Sequence, residues 1–239
     1  MLAAEVSPAA LASVVGVDIK SVSRWLAEEC LPYPMTRVKI ARHLKQRESF
    51  LWPALAIASG ASGTSLAEFD RVWPTRSAVP TETWHALFEQ ARSQLDILVY
   101  AGGFLIESLD LADVLRWKAN QGTAVRVLVG DPSAAAVRLR ANELSLPWLP
   151  DRCGSTARYL DAVRSEPGVG VRCHRTTLYA STFRFDDVLL VNTHAFGVWA
   201  AQSPTLQLRR SPESSLFDFY VSAFERVWLS GSPSDRPST

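Results

Sequence analysis

The sequence contains few cysteines. Only three occur among 239 residues, Cys30, Cys153 and Cys173, and they are odd in number, widely spaced and without a CxxC pair. This spacing argues against a disulfide framework and against a zinc site, and it favours a reducing compartment. We therefore expect a cytoplasmic protein with no bound metal and no other cofactor.

The chain also lacks long apolar runs and an excess of charge of either sign. No stretch approaches the roughly 18 apolar residues that a membrane-spanning helix needs, and the N-terminal segment, with Glu5 and no basic region, does not resemble a signal peptide. The 25 Lys and Arg residues balance 24 Asp and Glu residues, so the formal net charge is +1. Such a chain is not a polybasic nucleic-acid coat, and any basic surface on it must be local. We expect no membrane partner.

Composition and patterning divide the chain into two folded parts. Hydrophobic residues make up 47 % and charged residues 21 % of it, as in ordinary globular proteins. Residues 1–58 have the pattern of short helices, and residues 59–80, rich in small polar residues and proline, have the composition of a linker. Residues 81–230 alternate strands with helices, which predicts a mostly parallel sheet covered on both faces. Residues 231–239 are predicted to be a disordered tail. The predicted fold class is α + α/β.

The first part has the pattern of a helix-turn-helix. Ser7 caps a first helix, Gly16 ends it, and Asp18 caps a second helix. In that second helix Val22 and Trp25 fall on one apolar face. A helix of this kind fits the major groove of B-DNA, where the side chains of its N-terminal turn can reach base edges.

Basic and hydroxyl side chains occupy the opposite face of the second helix. Five Lys and Arg residues with no acidic residue among them follow between positions 37 and 47. Cations at such positions neutralise phosphates and fix the register on DNA, although an ordinary helical bundle with a solvated basic face has the same pattern. The predicted contacts to double-stranded DNA are Ile19, Lys20, Ser21, Ser23, Arg24, Arg37 and Lys39.

The segment GVDIKSVSRWLAE resembles the second half of the helix-turn-helix in phage-repressor-like (Xre/Cro) regulators, and the resemblance covers roughly residues 5–55. It implies that Asp18 is the cap, Val22 the buried aliphatic residue and Trp25 the aromatic residue of the core. It places base-reading side chains at Ile19, Lys20, Ser21 and Arg24. In this family a full helix precedes the motif, whereas only Met1 to Glu5 precede Ser7 here. We therefore expect either a truncated first helix or a protein whose true start lies farther upstream.

The second part resembles the phospholipase-D-like superfamily. The matching stretches are VRVLVGDP, FRFDDVLLVN and FDFYVSAFERVW. The two parts together are similar to a group of actinobacterial Xre-type regulators that carry a C-terminal phospholipase-D-like domain of unknown function. The resemblance spans the whole chain and implies a small helix-turn-helix bundle followed by a phospholipase-D-like α/β sandwich domain.

The resemblance also implies that the second part is not an enzyme. Enzymes of the superfamily use His-x-Lys-x4-Asp, in which the histidine attacks phosphorus and the lysine holds phosphate oxygens. With Asp186 at the aspartate position, Tyr179 falls at the histidine position and Ser181 at the lysine position. A neutral tyrosine is a poor nucleophile at pH 7, and serine lacks the cation. We therefore predict no catalytic residue.

Polar side chains on the late strands and at one strand end suit a pocket for a small anionic ligand. Open α/β sheets bind ligands at the carboxyl ends of their strands, where Asp131 falls. Each candidate also has an ordinary structural explanation, as a turn residue, a strand-end ion pair or a buried histidine. The candidates are Asp131, His174, Tyr179, Ser181, Arg184, Asp186, Asn192 and His194.

The resemblance and the recognition physics both favour a homodimer. Phospholipase-D-like sites lie at the junction of two such units, and this chain has one. A single helix-turn-helix reads few base pairs, so specificity normally requires two half-sites about 34–36 Å apart. The closing helix carries more aromatic residues than one buried stripe needs, because Phe219 lies off that stripe.

Three functions remain open from the sequence. The leading hypothesis is a sequence-specific DNA-binding transcriptional regulator whose phospholipase-D-like domain is non-catalytic and serves ligand sensing or dimerisation. The first alternative is a phospholipase-D-like phosphodiesterase or nuclease. The second alternative is a non-catalytic interaction module with a degenerate DNA-binding domain.

Overall fold

The computed structural model describes residues 6–27, 30–46, 51–52, 68–211 and 215–233. The chain divides into two compact units, Met1–Gly63 and Thr64–Thr239, and each is described by itself. The first unit is helical, and the second combines helices with a sheet of eight strands in its described part. The predicted α + α/β fold class is therefore confirmed.

The first unit contains the helices α1 (Pro8–Val15), α2 (Ile19–Leu26) and α3 (Pro34–His43). The caps are those the sequence predicts. The Ser7 hydroxyl accepts the Ala10 N–H at 3.2 Å, and an Asp18 carboxylate oxygen accepts the Lys20 N–H at 2.7 Å. Gly16 ends α1 in the left-handed region with φ +77°, where glycine pays no steric penalty.

A small apolar core joins these three helices. Leu11 and Val15 of α1 and Val22 of α2 are buried against Ile40 of α3, and Trp25 is partly buried on the same cluster. The predicted core roles of Val22 and Trp25 are confirmed. The expected truncation of a first helix concerns residues 1–5, which lie outside the described residues.

The third helix buries less of its apolar surface than its pattern predicts. Ile40 and Ala41 are buried, but Val38, predicted to pack inward, is 43 % exposed. Tyr33 and Met35, at the start of the same helix, are more exposed still. The described part of the first unit therefore leaves apolar side chains at the surface beside its basic residues.

The second unit is built on one mixed sheet. Its strands are β1 (Phe69–Trp73), β2 (Gln94–Val99), β3 (Ala124–Gly130), β4 (Val169–His174), β5 (Ala180–Phe185), β6 (Val188–Thr193), β7 (Thr205–Arg209) and β8 (Ser232–Pro233). They lie in the order β1-β7-β6-β5-β2-β3-β4-β8.

The prediction of a mostly parallel sheet is wrong. Only the β2–β3 and β3–β4 pairs are parallel, and the other five pairs are antiparallel. The connections from β2 to β3 and from β3 to β4 contain helices, and such crossovers are what neighbouring parallel strands require. The later strands β5, β6 and β7 follow one another through short connections and therefore reverse direction.

Helices cover both faces of this sheet. They are α4 (Thr81–Gln90), α5 (Gly103–Leu109), α6 (Leu111–Asn120), α7 (Ala135–Glu143), α8 (Leu149–Leu160) and α9 (Leu216–Ser230). On one face, α4, α5 and α6 pack against alternate strand residues such as Leu95 and Ile97. On the other face, α7 and α9 pack against Leu98 of β2 and Leu128 of β3. Alternation along the strands thus builds the two apolar layers of a sandwich.

The sequence predicts one helix over 107–120, but the structure has two. Asp110 takes a left-handed conformation, with φ 49°, between α5 and α6. Such a residue interrupts the run of helical hydrogen bonds, and aspartate tolerates this region better than most residues.

Part of the predicted linker 59–80 belongs to the second unit. Strand β1 and a 3-10 turn over Arg76–Ala78 lie within it, and β1 pairs with β7 at the edge of the sheet. The prolines Pro74 and Pro80 flank that turn, so the linker prediction is wrong for 68–80. Residues 59–67 lie outside the described residues. In the predicted tail, Ser232 and Pro233 pair with β4, and 234–239 are likewise outside.

The Glu68 side chain joins the start of the second unit to its last helix. Its buried carboxylate accepts the N–H groups of Ser215 at 2.7 Å and Phe217 at 2.8 Å, in the first turn of α9. Burial by itself would raise the pKa of this carboxyl, but the backbone donors outweigh it and hold the pKa below its ordinary value. A carboxylate at a helix N-terminus also complements the helix dipole.

Candidate functional site

The candidate nucleic-acid surface is the outer face of α2. Ile19, Lys20, Ser23 and Arg24 are exposed, Ser21 is partly exposed, and Val22 between them is buried. The Ser23 hydroxyl donates to the Ile19 carbonyl at 3.1 Å. The predicted side chains on this helix therefore share one solvent-facing surface next to a capped N-terminus, and DNA contact by them stays a prediction.

The two predicted contacts on α3 differ from each other. Lys39 is exposed. Arg37 is only partly exposed, and its guanidinium donates to the Pro32 carbonyl at 3.1 Å. Arg37 thus also holds the loop that enters α3, so its loss would disturb the fold as well as the surface charge.

The eight predicted pocket residues do not converge on one site. Asp186 lies in the β5–β6 turn with φ 52° and accepts the N–H groups of Arg92, Ser93 and Gln94 at 2.7–2.8 Å. Burial would raise the pKa of Asp186, but these donors hold it below its ordinary value. This carboxylate ties the turn to the start of β2, and the prediction that it lines a pocket with Ser181, at the other end of β5, is wrong.

Arg184 also has a structural role instead of the predicted pocket role. It points to the sheet face covered by α9, where its guanidinium lies 3.5 Å from the buried carboxylate of Asp96. Its Nε donates to the Asp186 carbonyl at 2.9 Å. Arg184 therefore belongs to an ion cluster under α9.

Asn192 and His174 are buried on the sheet. The Asn192 amide donates to the carbonyls of Ser203 and Pro204, both at 3.1 Å. The His174 Nε2 lies 3.0 Å from the Val99 carbonyl, and burial lowers the pKa of this imidazole. Neither side chain lines the cavity that holds Ser181 and His194 or the one that holds Tyr179, so the structure does not bring Asn192 and His174 together with these residues in either cavity.

Asp131 is a turn residue at the end of β3. It accepts the backbone N–H and the hydroxyl of Ser133, both at 2.7 Å, and pairs with Arg175 at 2.6 Å. Burial would raise the pKa of Asp131, but these partners hold it below its ordinary value. Its position at a strand end was predicted correctly, whereas its carboxylate is occupied within the turn and does not line a cavity with the other candidates.

Only Ser181 and His194 of the predicted set meet in a cavity of about 290 Å³, which we call the arginine cavity. Most of the residues that line this cavity were not predicted from the sequence. The remaining charged and aromatic side chains that line it are Arg76, Tyr100, Phe104, Glu107, Arg140, Trp148, Arg152 and Trp199.

Ser181 and His194 form a hydrogen-bonded pair in this cavity. The His194 Nε2 lies 3.1 Å from the Ser181 hydroxyl, and its Nδ1 lies 3.2 Å from the Leu178 carbonyl. Because a carbonyl only accepts, Nδ1 carries the proton and Nε2 accepts from the hydroxyl. Burial, together with the nearby cations Arg140 and Arg76, lowers the pKa of His194 to about 4. The imidazole is therefore neutral at pH 7.

Three arginines line the cavity, and their partners differ. Arg140 pairs with Glu143 and donates to the Val198 carbonyl at 2.9 Å. Arg152 pairs with Glu107 at 2.8 Å. Arg76 has no carboxylate partner in the described part of the chain, and its guanidinium lies 3.8 Å from the centre of the Phe104 ring. Burial lowers the pKa of Arg76 to about 10, which still leaves it charged at pH 7.

A second, more apolar cavity of about 720 Å³ lies between α9 and β5, and we call it the α9 groove. Phe219 and Phe224 of α9 and Tyr179 line it, and Tyr179 is 82 % exposed. The resemblance described above implies that Tyr179 and Ser181 take the histidine and lysine positions of the phospholipase-D-like motif. They line different cavities, so they do not converge on one reacting atom.

Sequence signals for the missed residues were weak. Arg76 lies between two prolines in a segment with linker composition, and Trp148 and Trp199 lie in connections without a regular pattern. The one available signal was the presence of tryptophan in such connections, since exposed aromatic residues are enriched at binding sites.

Within the described residues no group of three His, Cys, Asp or Glu side chains is placed to hold a metal ion. None of the helices in these same ranges is long and apolar enough to cross a bilayer.

No protein-family model matches the chain, and no curated protein matches it in sequence. Among solved structures it is similar to TrmBL2, an archaeal chromatin protein described with a novel mode of DNA binding. That likeness has 12 % identity, covers 95 % of this chain and 88 % of that chain, and has a TM-score of 0.44.

Two other solved structures are also distantly similar. Nuc from Salmonella typhimurium, a phospholipase D family member, is 9 % identical over 64 % of this chain and 91 % of that chain, with a TM-score of 0.40. NucT from Helicobacter pylori is 13 % identical over 68 % of this chain and 96 % of that chain, with a TM-score of 0.40. All of these are distant likenesses of fold.

Proposed function

We propose that this protein is a cytoplasmic, sequence-specific DNA-binding transcriptional regulator of the Xre type. In this proposal its second unit is a phospholipase-D-like domain that does not catalyse and serves ligand sensing or dimerisation. The observation that carries the proposal is the outer face of α2, where Lys20 and Arg24 are exposed next to a capped N-terminus.

The packing of α2 supports this reading. Buried Val22 and partly buried Trp25 fix the helix against the core of the first unit. The opposite face is thereby held outward as a rigid surface, which is how a recognition helix enters the major groove. Lys39 on α3 adds a cation suited to a phosphate contact.

The experiment is a genome-wide pull-down of bound DNA, followed by titration of the recovered site. Arg24→Ala should relax sequence preference by about 1–3 kcal/mol if the contact is bidentate to guanine. Lys39→Ala should weaken binding to all sequences alike and reduce the salt slope by about 1. Arg71→Ala, at an exposed position of β1, is the matched control. Parent-like binding by both variants would overturn the proposal.

The absence of catalysis is part of the proposal. It is supported by Tyr179 and Ser181, which lack the needed chemistry and line separate cavities. Purified protein should leave bis-p-nitrophenyl phosphate and plasmid DNA intact, with or without divalent metal. Turnover that Tyr179→Phe abolishes would instead support the phosphodiesterase alternative.

A non-catalytic interaction module is the second candidate function. The exposed apolar side chains Tyr33, Met35 and Val38 on the first unit favour it, because such side chains at one helix are typical of protein contacts. The pull-down separates the two candidates. Recovery of no DNA together with a bound protein would favour the interaction module.

We further propose a homodimer formed through the second unit. The α9 groove supports this, because exposed Phe219 beside an apolar cavity offers a self-complementary contact surface. A two-fold dimer would also supply the second recognition helix that operator specificity requires.

A further inference from the structure

We propose that the arginine cavity is the sensing site and binds a small planar aromatic anion, with Arg76 as the residue that holds the anionic group. The inference rests on the proposed sensing role of the second unit and names the chemistry of its ligand. Arg76 and the aromatic residues that line the cavity are not among the positions at which the phospholipase-D-like motif would bind phosphate.

The charges in the cavity leave one cation without a counter-charge. Arg140 is balanced by Glu143, and Arg152 is balanced by Glu107. His194 is neutral at pH 7. Arg76 therefore contributes the one positive charge that no carboxylate of the described chain balances, and a partly buried, unbalanced guanidinium favours an incoming anion.

The backbone holds Arg76 rigidly at the cavity wall. Its N–H donates to the Ser203 carbonyl at 2.9 Å, and the hydroxyl of Ser77 donates to the Ala201 carbonyl at 3.0 Å. These bonds join the 3-10 turn Arg76–Ala78 to a second 3-10 turn over Ala200–Gln202. The guanidinium carbon lies 3.8 Å from the centre of the Phe104 ring, a cation–π contact that uses the face of the guanidinium and not its N–H groups.

The remaining walls select a flat apolar body. Trp148 and Trp199 meet edge to face with ring centres 6.1 Å apart, and Tyr100 and Phe104 line the interior. A volume of about 290 Å³ suits a ligand of one or two rings. Ser181 and neutral His194 add polar contacts without adding charge.

Two anionic groups fit this chemistry, a carboxylate and a phosphate. We would titrate full-length protein with benzoate, with phenyl phosphate and with neutral benzamide as the control, using calorimetry or ligand-observed NMR. At least one anion should bind in the millimolar range or better, and benzamide about tenfold more weakly or not at all. Binding of benzoate alone would identify a carboxylate site, and binding of phenyl phosphate alone would identify a phosphate site. Equal binding of benzamide, or binding of neither anion, would overturn the inference.

Variants test the assignment to Arg76. Arg76→Gln should lower the affinity for the bound anion about tenfold, whereas Arg76→Lys should retain part of it and Arg71→Gln all of it. Parent-like anion binding by Arg76→Gln contradicts the inference. If that variant does not fold, Trp199→Ala, at a half-exposed position of the same cavity, replaces it. Unchanged affinity in Trp199→Ala would equally contradict the inference.

The anion titration is performed without DNA, so it fails or succeeds independently of the proposed function. Anion binding by a protein that recovers no DNA overturns the regulator and keeps the cavity assignment. DNA binding by a protein that binds neither anion overturns the cavity assignment and keeps the regulator.

Discussion

Asp96 and Arg126 face each other on the parallel strands β2 and β3 and form a two-point ion pair. The Arg126 Nε lies 2.7 Å from one carboxylate oxygen of Asp96, and its Nη2 lies 3.0 Å from the other. Arg126 also contacts Glu225 of α9 at 2.7 Å. The cluster thus fastens the closing helix to two strands, and Asp96 is buried at its centre.

Asp96→Ala should destabilise the protein by about 3–5 kcal/mol, because it leaves Arg126 and Arg184 close together without the carboxylate between them. Denaturant unfolding measures the change. Asp113→Ala removes an exposed ion pair with Arg116 and should cost far less. Equal losses in the two variants would contradict the structural role of Asp96.

Asp186→Asn should lower stability at neutral pH by about 1–2 kcal/mol, because a neutral amide replaces a carboxylate that accepts three backbone N–H groups. Asparagine tolerates the left-handed backbone of this turn, so strain is not added. The folded pKa of Asp186 is depressed. Its contribution is therefore complete above the unfolded pKa and is lost as pH falls through the folded pKa.

The acid limb of the stability profile measures this effect. Asp186→Asn should show a shallower loss of stability below about pH 4 than the parent. Asp187→Asn, at the exposed neighbouring position, is the control and should follow the parent curve. If Asp187→Asn changes the acid limb of the stability profile as much as Asp186→Asn does, the effect belongs to the turn as a whole and not to the Asp186 carboxylate.

His194 should make stability fall between about pH 6.5 and its folded pKa of about 4. In this window the unfolded chain binds a proton that the folded protein excludes, so each step down in pH favours unfolding. His174 is shifted in the same direction and adds to the slope. His194→Gln should reduce the slope, whereas His85→Gln, at an exposed position of α4, should leave it unchanged. Urea unfolding at pH 7 and at pH 4.5 measures the free energy of unfolding at each pH, and the difference between the two gives the slope for each variant.

Full-length protein should sediment as a dimer at micromolar concentration. Phe219→Asp places a charge beside the α9 groove and should shift the protein toward monomer. Leu139→Asp, at an exposed position of α7, controls for added charge on a different surface. A clean monomer in the parent would refute the dimer and leave recognition of single half-sites to be explained.

Local features of this chain were predictable from sequence. Ser7 and Asp18 accept hydrogen bonds from backbone N–H groups no more than three residues away, and Gly16 ends its helix through its own backbone conformation. Their residue types alone therefore identify the turn of the first unit. The aromatic and aliphatic pattern of α2 likewise identifies its buried side, because helical periodicity needs no distant partner.

Features that depend on distant partners were not predictable. The direction of β5 relative to β2 follows from where the chain returns to the sheet, and no periodicity encodes it. Arg76 reaches the cavity only because its turn bonds to residues near position 200. The structural role of Asp186 depends on three backbone donors that lie more than 90 residues earlier in the chain.

The pairing of β1 with β7 has a consequence for synthesis on the ribosome. Asp70 and its hydrogen-bond partner Gln207 are separated by 137 residues. The backbone N–H of Ser215, which donates to Glu68, lies still farther along the chain. The opening segment of the second unit therefore emerges long before anything it pairs with, and such late, long-range closure is slow and exposes an unpaired edge to aggregation. We expect nascent chains that stop short of β7 to need chaperone protection, and the second unit to complete its fold only after β7 and α9 have been synthesised.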